Sequence, residues 1–212
     1  MMPTPELFQE KVRALGVNSD STLVVYDDIG LYASPRAWWM FRAMGHVRVN
    51  VLDGGLNAWK AVEGAIDTSP VAKRANPFKA RIQSDLVRDL SDMKQHVRAN
   101  DVAILDARAQ GRFDGTSPEP RPDLPSGHMP GSVCVPASDL ISSDGTLKSP
   151  QALVGFLQDY ADQPVVTSCG SGVSAAVISL ALARLGNWNA ALYDGSWSEW
   201  AAQPDASIEV AS

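Results

Sequence analysis

The chain has 212 residues, of which 45% are hydrophobic and 20% charged, and this is the composition of a globular protein with one large or two small domains. Its net charge of −6 argues against a general nucleic-acid binder, because such proteins carry a basic stripe. No apolar run is as long as a membrane span, and the N-terminus lacks the basic-then-apolar pattern of a signal peptide.

Strand and helix patterns alternate in the first third of the chain. Residues 24–28 read as a strand, and a loop, a helix and a glycine turn at Gly45 follow. A second short strand then ends in an Asp-Gly turn at Asp53, and a short helix carries Trp59. Residues 1–67 are therefore predicted to form a partial N-terminal domain.

A linker and a larger unit are predicted after this first domain. Residues 68–81 form the predicted linker, and its first part, residues 68–77, contains two prolines and two basic residues. The second unit, residues 82–212, again alternates strands with helices. This alternation predicts an α/β fold with a mainly parallel sheet flanked by helices. The predicted elements of this unit are a strand near 82, a helix at 86–99, a strand at 102–106, a helix at 151–160, a strand at 165–168 and a helix at 175–185.

The two units are copies of one pattern. A single constant shift places residues 24–28 over 165–169, Gly45 over Gly186 and Trp59 over Trp200. The opening strand of the second copy has no counterpart in the first. We therefore expect the first copy to be incomplete, either naturally abbreviated or truncated.

The strongest functional signal is the cysteine that ends the strand at 165–168. A glycine-rich loop follows Cys169, and an apolar helix follows the loop. Backbone N–H groups of such a loop converge at a helix N-terminus and favour a thiolate, which is the nucleophilic form of cysteine. The alternative is a buried structural cysteine. The first copy has Asp28 at this position, so it is predicted to be structural or a wall of the active site.

Several segments resemble the rhodanese superfamily, and most closely its 3-mercaptopyruvate sulfurtransferases. The six residues from Cys169 are similar to the family's active-site loop, usually written CGSGVT. The other similar segments are 106–121 (the substrate-binding loop), 127–132 (the GHIPGA motif), and 26–28, 36–39 and 52–55 (the non-catalytic N-terminal domain).

The resemblance implies a rhodanese-like tandem fold and a sulfurtransferase. In that reaction Cys169 takes sulfur from 3-mercaptopyruvate as a persulfide and passes it to an acceptor. The family suggests thioredoxin, small thiols or cyanide as the acceptor, and neither a cofactor nor a membrane takes part. A working thiol fits the reducing cytoplasm, and the oligomeric state stays open. The two cysteines and three histidines show no metal-ligand spacing.

The candidate catalytic residues are Cys169 and Ser171. Ser171 could relay a proton from the substrate thiol or could only hydrogen-bond within its loop. Arg112 and Arg121 are candidate ligands for the substrate carboxylate and carbonyl, since guanidinium groups match carboxylates in a bidentate manner. The remaining predicted substrate-binding residues belong to the sulfur loop: Gly170, Gly172, Val173 and Ser174.

The sequence bears on three other functions. A thiosulfate sulfurtransferase typically has basic residues after its cysteine, whereas Gly170 and Ser171 are uncharged and suit a monoanionic donor. A sulfur carrier or pseudo-enzyme without turnover stays open, because the family's N-terminal acidic and histidine groups find no counterpart here. A cysteine phosphatase is excluded, since its phosphate-binding arginine would stand at Ala175.

Overall fold

A computed structural model of the chain describes residues 2–69 and 77–211, and strands alternate with helices in both ranges. Within these ranges no helix is long and apolar enough to span a bilayer. The first part contains α1 (Pro5–Ala14), β1 (Leu23–Val25), α2 (Ser34–Ala43), β2 (Val49–Val51) and α3 (Gly55–Ala61).

The second part is longer and also contains short 3₁₀ turns at Ser84–Leu86, Ala137–Leu140 and Gln158–Tyr160. Its regular elements are β3 (Val87–Arg88), α4 (Leu90–Ala99), β4 (Ala103–Asp106), α5 (Gln110–Phe113), β5 (Ser132–Cys134), α6 (Pro150–Leu157), β6 (Val165–Ser168), α7 (Ala175–Arg184), β7 (Ala191–Tyr193) and α8 (Ser196–Trp200).

The predicted parallel sheet is confirmed. Five strands pair in the order β3-β7-β6-β4-β5, and every neighbouring pair is parallel. Asp106 at the end of β4 is in register with Ser168 of β6 and with Cys134 of β5. The carboxyl ends of the three neighbouring strands β6, β4 and β5 therefore lie at one side of the sheet, where ligands bind in open α/β sheets.

The repeat is visible in the strands. Strands β1 and β2 pair in parallel as a separate two-stranded sheet, just as their counterparts β6 and β7 do within the larger sheet. Helices α2 and α7, which are also counterparts, pack against each other. Trp38 and Trp39 of α2 share one buried cluster with Ile178 and Leu182 of α7, so apolar contact joins the two copies.

The predicted linker is described only in part. Residues 70–76 lie outside the described residues, and Phe78 beyond them is buried against Phe8 of α1. The N–H of Arg81 donates to the carbonyl of Met44 (3.0 Å), so this stretch packs on the first part. The division into 1–67, 68–81 and 82–212 stays a prediction.

Helix starts show which N-termini are closed by side chains. The Asp89 carboxylate accepts from the N–H of Asp92 (2.9 Å), and Asp92 accepts in return from the N–H of Asp89, which is a capping box at α4. Helix α6 is capped by Ser149. The start of α7, which follows the sulfur loop, has no side-chain cap. The N–H groups of Ala176 and Val177 donate instead to the carbonyls of Val173 (3.2 Å) and Ser174 (3.0 Å).

Candidate active site

Cys169 stands at the end of β6 and is held by the start of α8. Its N–H donates to Ser196 Oγ (3.2 Å), and its carbonyl accepts from the N–H of Trp197 (2.9 Å). The residue is only 1% exposed, yet it borders a cavity of about 370 Å³. These hydrogen bonds fix the backbone of Cys169, and the residue borders a space that a small molecule can enter.

The cavity brings together seven of the eight predicted site residues. Gly172 is the exception, since it belongs to the same loop but lies against Arg36 and Asp194. The lining residues are Tyr32, Arg112, Glu119, Pro120, Arg121, Cys169, Gly170, Ser171, Val173, Ser174 and Ser198. Tyr32 comes from the loop of the first copy, which supports the interpretation of that loop as a wall of the site.

A larger cleft of about 750 Å³ lies elsewhere, beside β2 and between α2 and α7. Its walls include Trp38, Trp188 and Leu180 but no cysteine or histidine. The smaller cavity is the candidate active site because it alone of the two contains a nucleophile.

Backbone N–H groups of the sulfur loop are open to an incoming anion. Among the described residues, no hydrogen bond joins the N–H groups of residues 170–174 to a protein acceptor. Four of these five residues line the cavity and are partly exposed, so a run of N–H groups without protein acceptors beside a cysteine marks a place for a bound ligand. A thiolate or a persulfide anion is the species that such donors stabilise.

The equivalent loop of the first copy already holds an anion. The Asp27 carboxylate accepts from the N–H groups of Tyr32 (2.9 Å), Ala33 (2.9 Å) and Ser34 (2.8 Å), and from the Ser34 hydroxyl. Burial raises the pKa of Asp27, but these hydrogen bonds outweigh burial and hold the pKa below its ordinary value. One copy of the loop thus binds a carboxylate of its own, while the other faces a cavity.

Arg112 lies beside Gly170 on the cavity wall and is paired with Glu119. Its Nε donates to Glu119 Oε1 (3.1 Å) and its Nη2 to Glu119 Oε2 (2.6 Å). A Cβ atom at Gly170 would lie 3.0 Å from Arg112 Nη2, so any side chain there would crowd the guanidinium. The glycine after the nucleophile therefore leaves room for Arg112.

Arg121 is held differently from Arg112. Its Nη1 contacts the hydroxyl of Ser198, which donates to the carbonyl of Gly170. The N–H of Ser198 donates to the same carbonyl (3.1 Å). Ser198 therefore ties the second arginine to the sulfur loop, and no carboxylate among the described residues pairs with this guanidinium.

Arg108 is structural rather than a ligand. Its side chain is fully buried and donates to Asp106, to Glu119 Oε1 (2.9 Å) and to the carbonyl of Gly127 (2.7 Å). Its guanidinium also lies 4.3 Å from the ring centroid of Trp197. Burial lowers the pKa of Arg108, but the two carboxylates outweigh burial and raise it. Arg108 thus holds Glu119 in place, and Glu119 in turn orients Arg112.

The second cysteine does not compete as a nucleophile. Cys134 lies at the end of β5, and its Sγ donates to the carbonyl of Arg108 (3.5 Å). Burial, together with the charges of Asp106 and Asp114, raises the pKa of Cys134 to about 12. It stays a protonated thiol at neutral pH, so it serves as a control position.

Comparison with known proteins identifies this architecture. The sequence model of the rhodanese-like domain matches residues 1–62 and 89–203. The chain belongs to the rhodanese family. It is 41% identical to 3-mercaptopyruvate sulfurtransferase of Escherichia coli K12, over 99% of this chain and 75% of the relative. It is also 38% identical to thiosulfate/3-mercaptopyruvate sulfurtransferase 2 of Arabidopsis thaliana, over 98% of this chain and 68% of the relative.

A solved rhodanese-family structure supports the same assignment. The crystal structure of SseA from Escherichia coli aligns with a TM-score of 0.82 at 39% sequence identity, over 94% of this chain and 75% of SseA. The resemblance predicted from the motifs is confirmed, and the chain is a rhodanese-family sulfurtransferase.

Four lining residues were not predicted from the sequence: Tyr32, Glu119, Pro120 and Ser198. Tyr32 comes from the first copy, and Ser198 lies on α8. Glu119 and Pro120 lie within the segment 106–121 that resembles the family's substrate-binding loop, but no role was assigned to either of them. Hydrogen-bonding side chains beside the recognised motifs were the available signal. Among the described residues, no group of three or more His, Cys, Asp and Glu side chains could hold a metal ion.

Proposed function

We propose that this rhodanese-family protein moves sulfur from 3-mercaptopyruvate, through a persulfide on Cys169, to a thiol or cyanide acceptor. The observation that carries the proposal is the cavity itself. Cys169 borders it, together with loop residues whose N–H groups have no protein acceptor among the described residues and with two arginines, Arg112 and Arg121. The name of the Escherichia coli relative supports this choice of donor.

The reaction has two half-reactions. The Cys169 thiolate attacks the sulfur of the donor, the carbon–sulfur bond breaks, and its electron pair leaves on carbon as the enolate of pyruvate. That enolate takes up a proton to give pyruvate, and the enzyme keeps a cysteine persulfide. An acceptor thiolate or cyanide then attacks the outer sulfur and releases the Cys169 thiolate. Ser171, which lines the cavity, is the proposed relay for the donor's thiol proton.

The charges on the cavity wall favour a monoanionic donor. Glu119 offsets the charge of Arg112, so the net positive charge of the wall is that of Arg121, while both guanidinium groups can donate hydrogen bonds to a carboxylate. Gly170 and Ser171 add no charge beside the nucleophile. A dianion such as thiosulfate would gain less Coulomb energy here than in a pocket with basic residues next to its cysteine.

Donor preference is tested by thiocyanate formation from cyanide. The purified chain is assayed with 3-mercaptopyruvate and thiosulfate side by side, and the Cys134→Ser variant serves as a control with one cysteine. We expect kcat/KM for 3-mercaptopyruvate to exceed that for thiosulfate by at least about tenfold, which corresponds to roughly 1.4 kcal/mol. Preference for thiosulfate would support the alternative donor. No turnover in a folded chain would leave only the sulfur-carrier role.

Loss of either arginine is expected to raise KM. Arg112→Gln and Arg121→Gln each remove a charged hydrogen bond to the donor carboxylate, which is worth about 1.5–3 kcal/mol, or roughly 10- to 100-fold in KM. Steady-state kinetics with 3-mercaptopyruvate measure the effect. Arg98→Gln on α4, an exposed arginine outside the cavity, should leave KM unchanged. A fall in kcat at constant KM would contradict the proposed binding role.

The proposed acceptor is thioredoxin or a small thiol, and the proposed compartment is the cytoplasm. Both cysteines are free thiols, which fits a reducing environment. A partner disulfide or dithiol is not needed for the second half-reaction, because a thiolate alone completes it. Sulfide release with thioredoxin against glutathione would rank the acceptors, and cell fractionation would test the compartment.

A further inference from the structure

Arg36 reaches from the first copy into the back of the sulfur loop. It lies on α2, and its Nη1 donates to the carbonyl of Gly172 (3.1 Å). Its Nη2 pairs with the Asp194 carboxylate, and its guanidinium stacks 4.5 Å from the ring centroid of Trp39. The residue is about nine-tenths buried, so these contacts are protected from water.

This contact sets the direction of one peptide group in the loop. In a trans peptide the C=O and N–H bonds point in opposite directions, and the described residues contain no cis peptide. Because the Gly172 carbonyl points to Arg36, the N–H of Val173 points away from Arg36. Val173 lines the cavity and Gly172 does not, so this N–H belongs to the cavity side.

The loop itself does little to hold that peptide group. Gly172 has a φ of +77°, in the region that favours glycine, and a Cβ there would lie 2.9 Å from both Arg36 Nη1 and the Asp194 carbonyl oxygen. A glycine permits rotation of the adjoining peptide at low cost. The external hydrogen bond from Arg36 therefore decides the orientation.

Asp194 holds Arg36 in turn. One carboxylate oxygen pairs with Arg36, and the other accepts from the N–H of Met2 (2.6 Å). Asp194 is the residue of the Asp-Gly turn that the repeat matches with Asp53, and Asp53 likewise crosses to the other copy by accepting from the N–H of Leu147 (2.7 Å). Each copy thus anchors the other through the same turn.

We propose that Arg36 is a positioning residue for sulfur transfer: it holds the peptide between Gly172 and Val173 with its N–H directed into the cavity, and Asp194 fixes Arg36. The inference rests on the proposed function of Cys169 as the nucleophile. The proposal gives the first copy a role in the chemistry of the second, because a residue on a helix of the first copy orients an N–H group that can donate a hydrogen bond to the anionic sulfur.

The test compares Arg36→Met with Arg42→Met, both in a Cys134→Ser background. Arg42 lies on the same helix and also crosses to the second copy, where it donates to the carbonyl of Trp188 (3.0 Å), but it does not touch the loop. Two readouts are used: the alkylation rate of Cys169 by iodoacetamide without donor, followed by mass spectrometry, and kcat and KM for thiocyanate formation from 3-mercaptopyruvate.

We expect Arg36→Met to lower both the alkylation rate and kcat by about 10- to 100-fold, the range of a lost charged hydrogen bond, with KM within about twofold. Arg42→Met should leave all three within about twofold. Unchanged alkylation and kcat in folded Arg36→Met, a loss confined to KM, or an equal loss in Arg42→Met would overturn the proposal.

A conservative variant covers the case in which Arg36→Met does not fold. Arg36→Lys keeps a cation but replaces the two guanidinium nitrogens that contact Gly172 and Asp194 with one ammonium nitrogen on a flexible chain, so alkylation and kcat should fall by several-fold. Wild-type rates in both Arg36→Lys and Asp194→Asn would overturn the proposal. The alkylation arm needs no turnover. A wild-type chain that forms no persulfide would therefore refute the proposed function while the role of Arg36 is still decided.

Discussion

Sulfur transfer falls to the uncatalysed background, a loss of roughly a thousandfold or more, when Cys169 is replaced by Ser. The hydroxyl fits beside the same N–H donors, but an alcohol is neither ionised at neutral pH nor able to carry a second sulfur. Thiocyanate formation measures the loss. Because the substitution changes one atom at a position bordering a cavity, we expect the free energy of unfolding to change by less than about 1 kcal/mol.

The matched control is Cys134→Ser, since Cys134 lies at the end of the neighbouring strand and stays protonated. It should keep wild-type kcat. Residual transfer by the Cys169→Ser variant, or an equal loss in Cys134→Ser, would remove Cys169 from the nucleophile role.

The largest loss of stability is expected for Arg108→Ala. The Arg108 side chain is 0% exposed and so is its partner Asp106, so the substitution leaves a buried carboxylate without its cation. Breaking a buried pair in this way costs about 3–5 kcal/mol. Urea unfolding should show this decrease in the free energy of unfolding. Glu119 also loses its fixed partner, so KM should rise as Arg112 loses its orientation.

A surface pair gives the matched comparison for Arg108. Arg48 pairs with Asp20 (2.9 Å), and their side chains are 50% and 95% exposed. Exposed pairs contribute about 0–1 kcal/mol, so Arg48→Ala should hardly change the free energy of unfolding. If Arg108→Ala cost no more than Arg48→Ala, the buried network would not organise this site.

The sequence was informative wherever the signal is local. Alternating strand and helix patterns predicted the parallel sheet, and the constant shift between copies predicted the repeat, which is seen in β1 and β2 pairing as β6 and β7 do. The glycine-rich loop after Cys169 placed a thiol at a strand end and a helix start. These features depend on neighbours along the chain, which a sequence displays directly.

The missing parts of the site depend on contacts between distant segments. Only the three-dimensional structure shows that Glu119 pairs with both Arg108 and Arg112. Arg121 and Ser198 meet across a separation of 77 residues. Arg36 was visible within a family-like segment, yet its partner Gly172 lies on the other copy. No periodicity or spacing rule encodes such pairs.

The most direct measurement of the mechanism is the intact mass of the chain after a short incubation with 3-mercaptopyruvate in the absence of an acceptor. One added sulfur atom that peptide mapping places on Cys169, and that cyanide removes as thiocyanate, is the expected result. A folded chain that releases pyruvate without gaining sulfur, or that gains sulfur on Cys134 instead, would contradict a persulfide on Cys169.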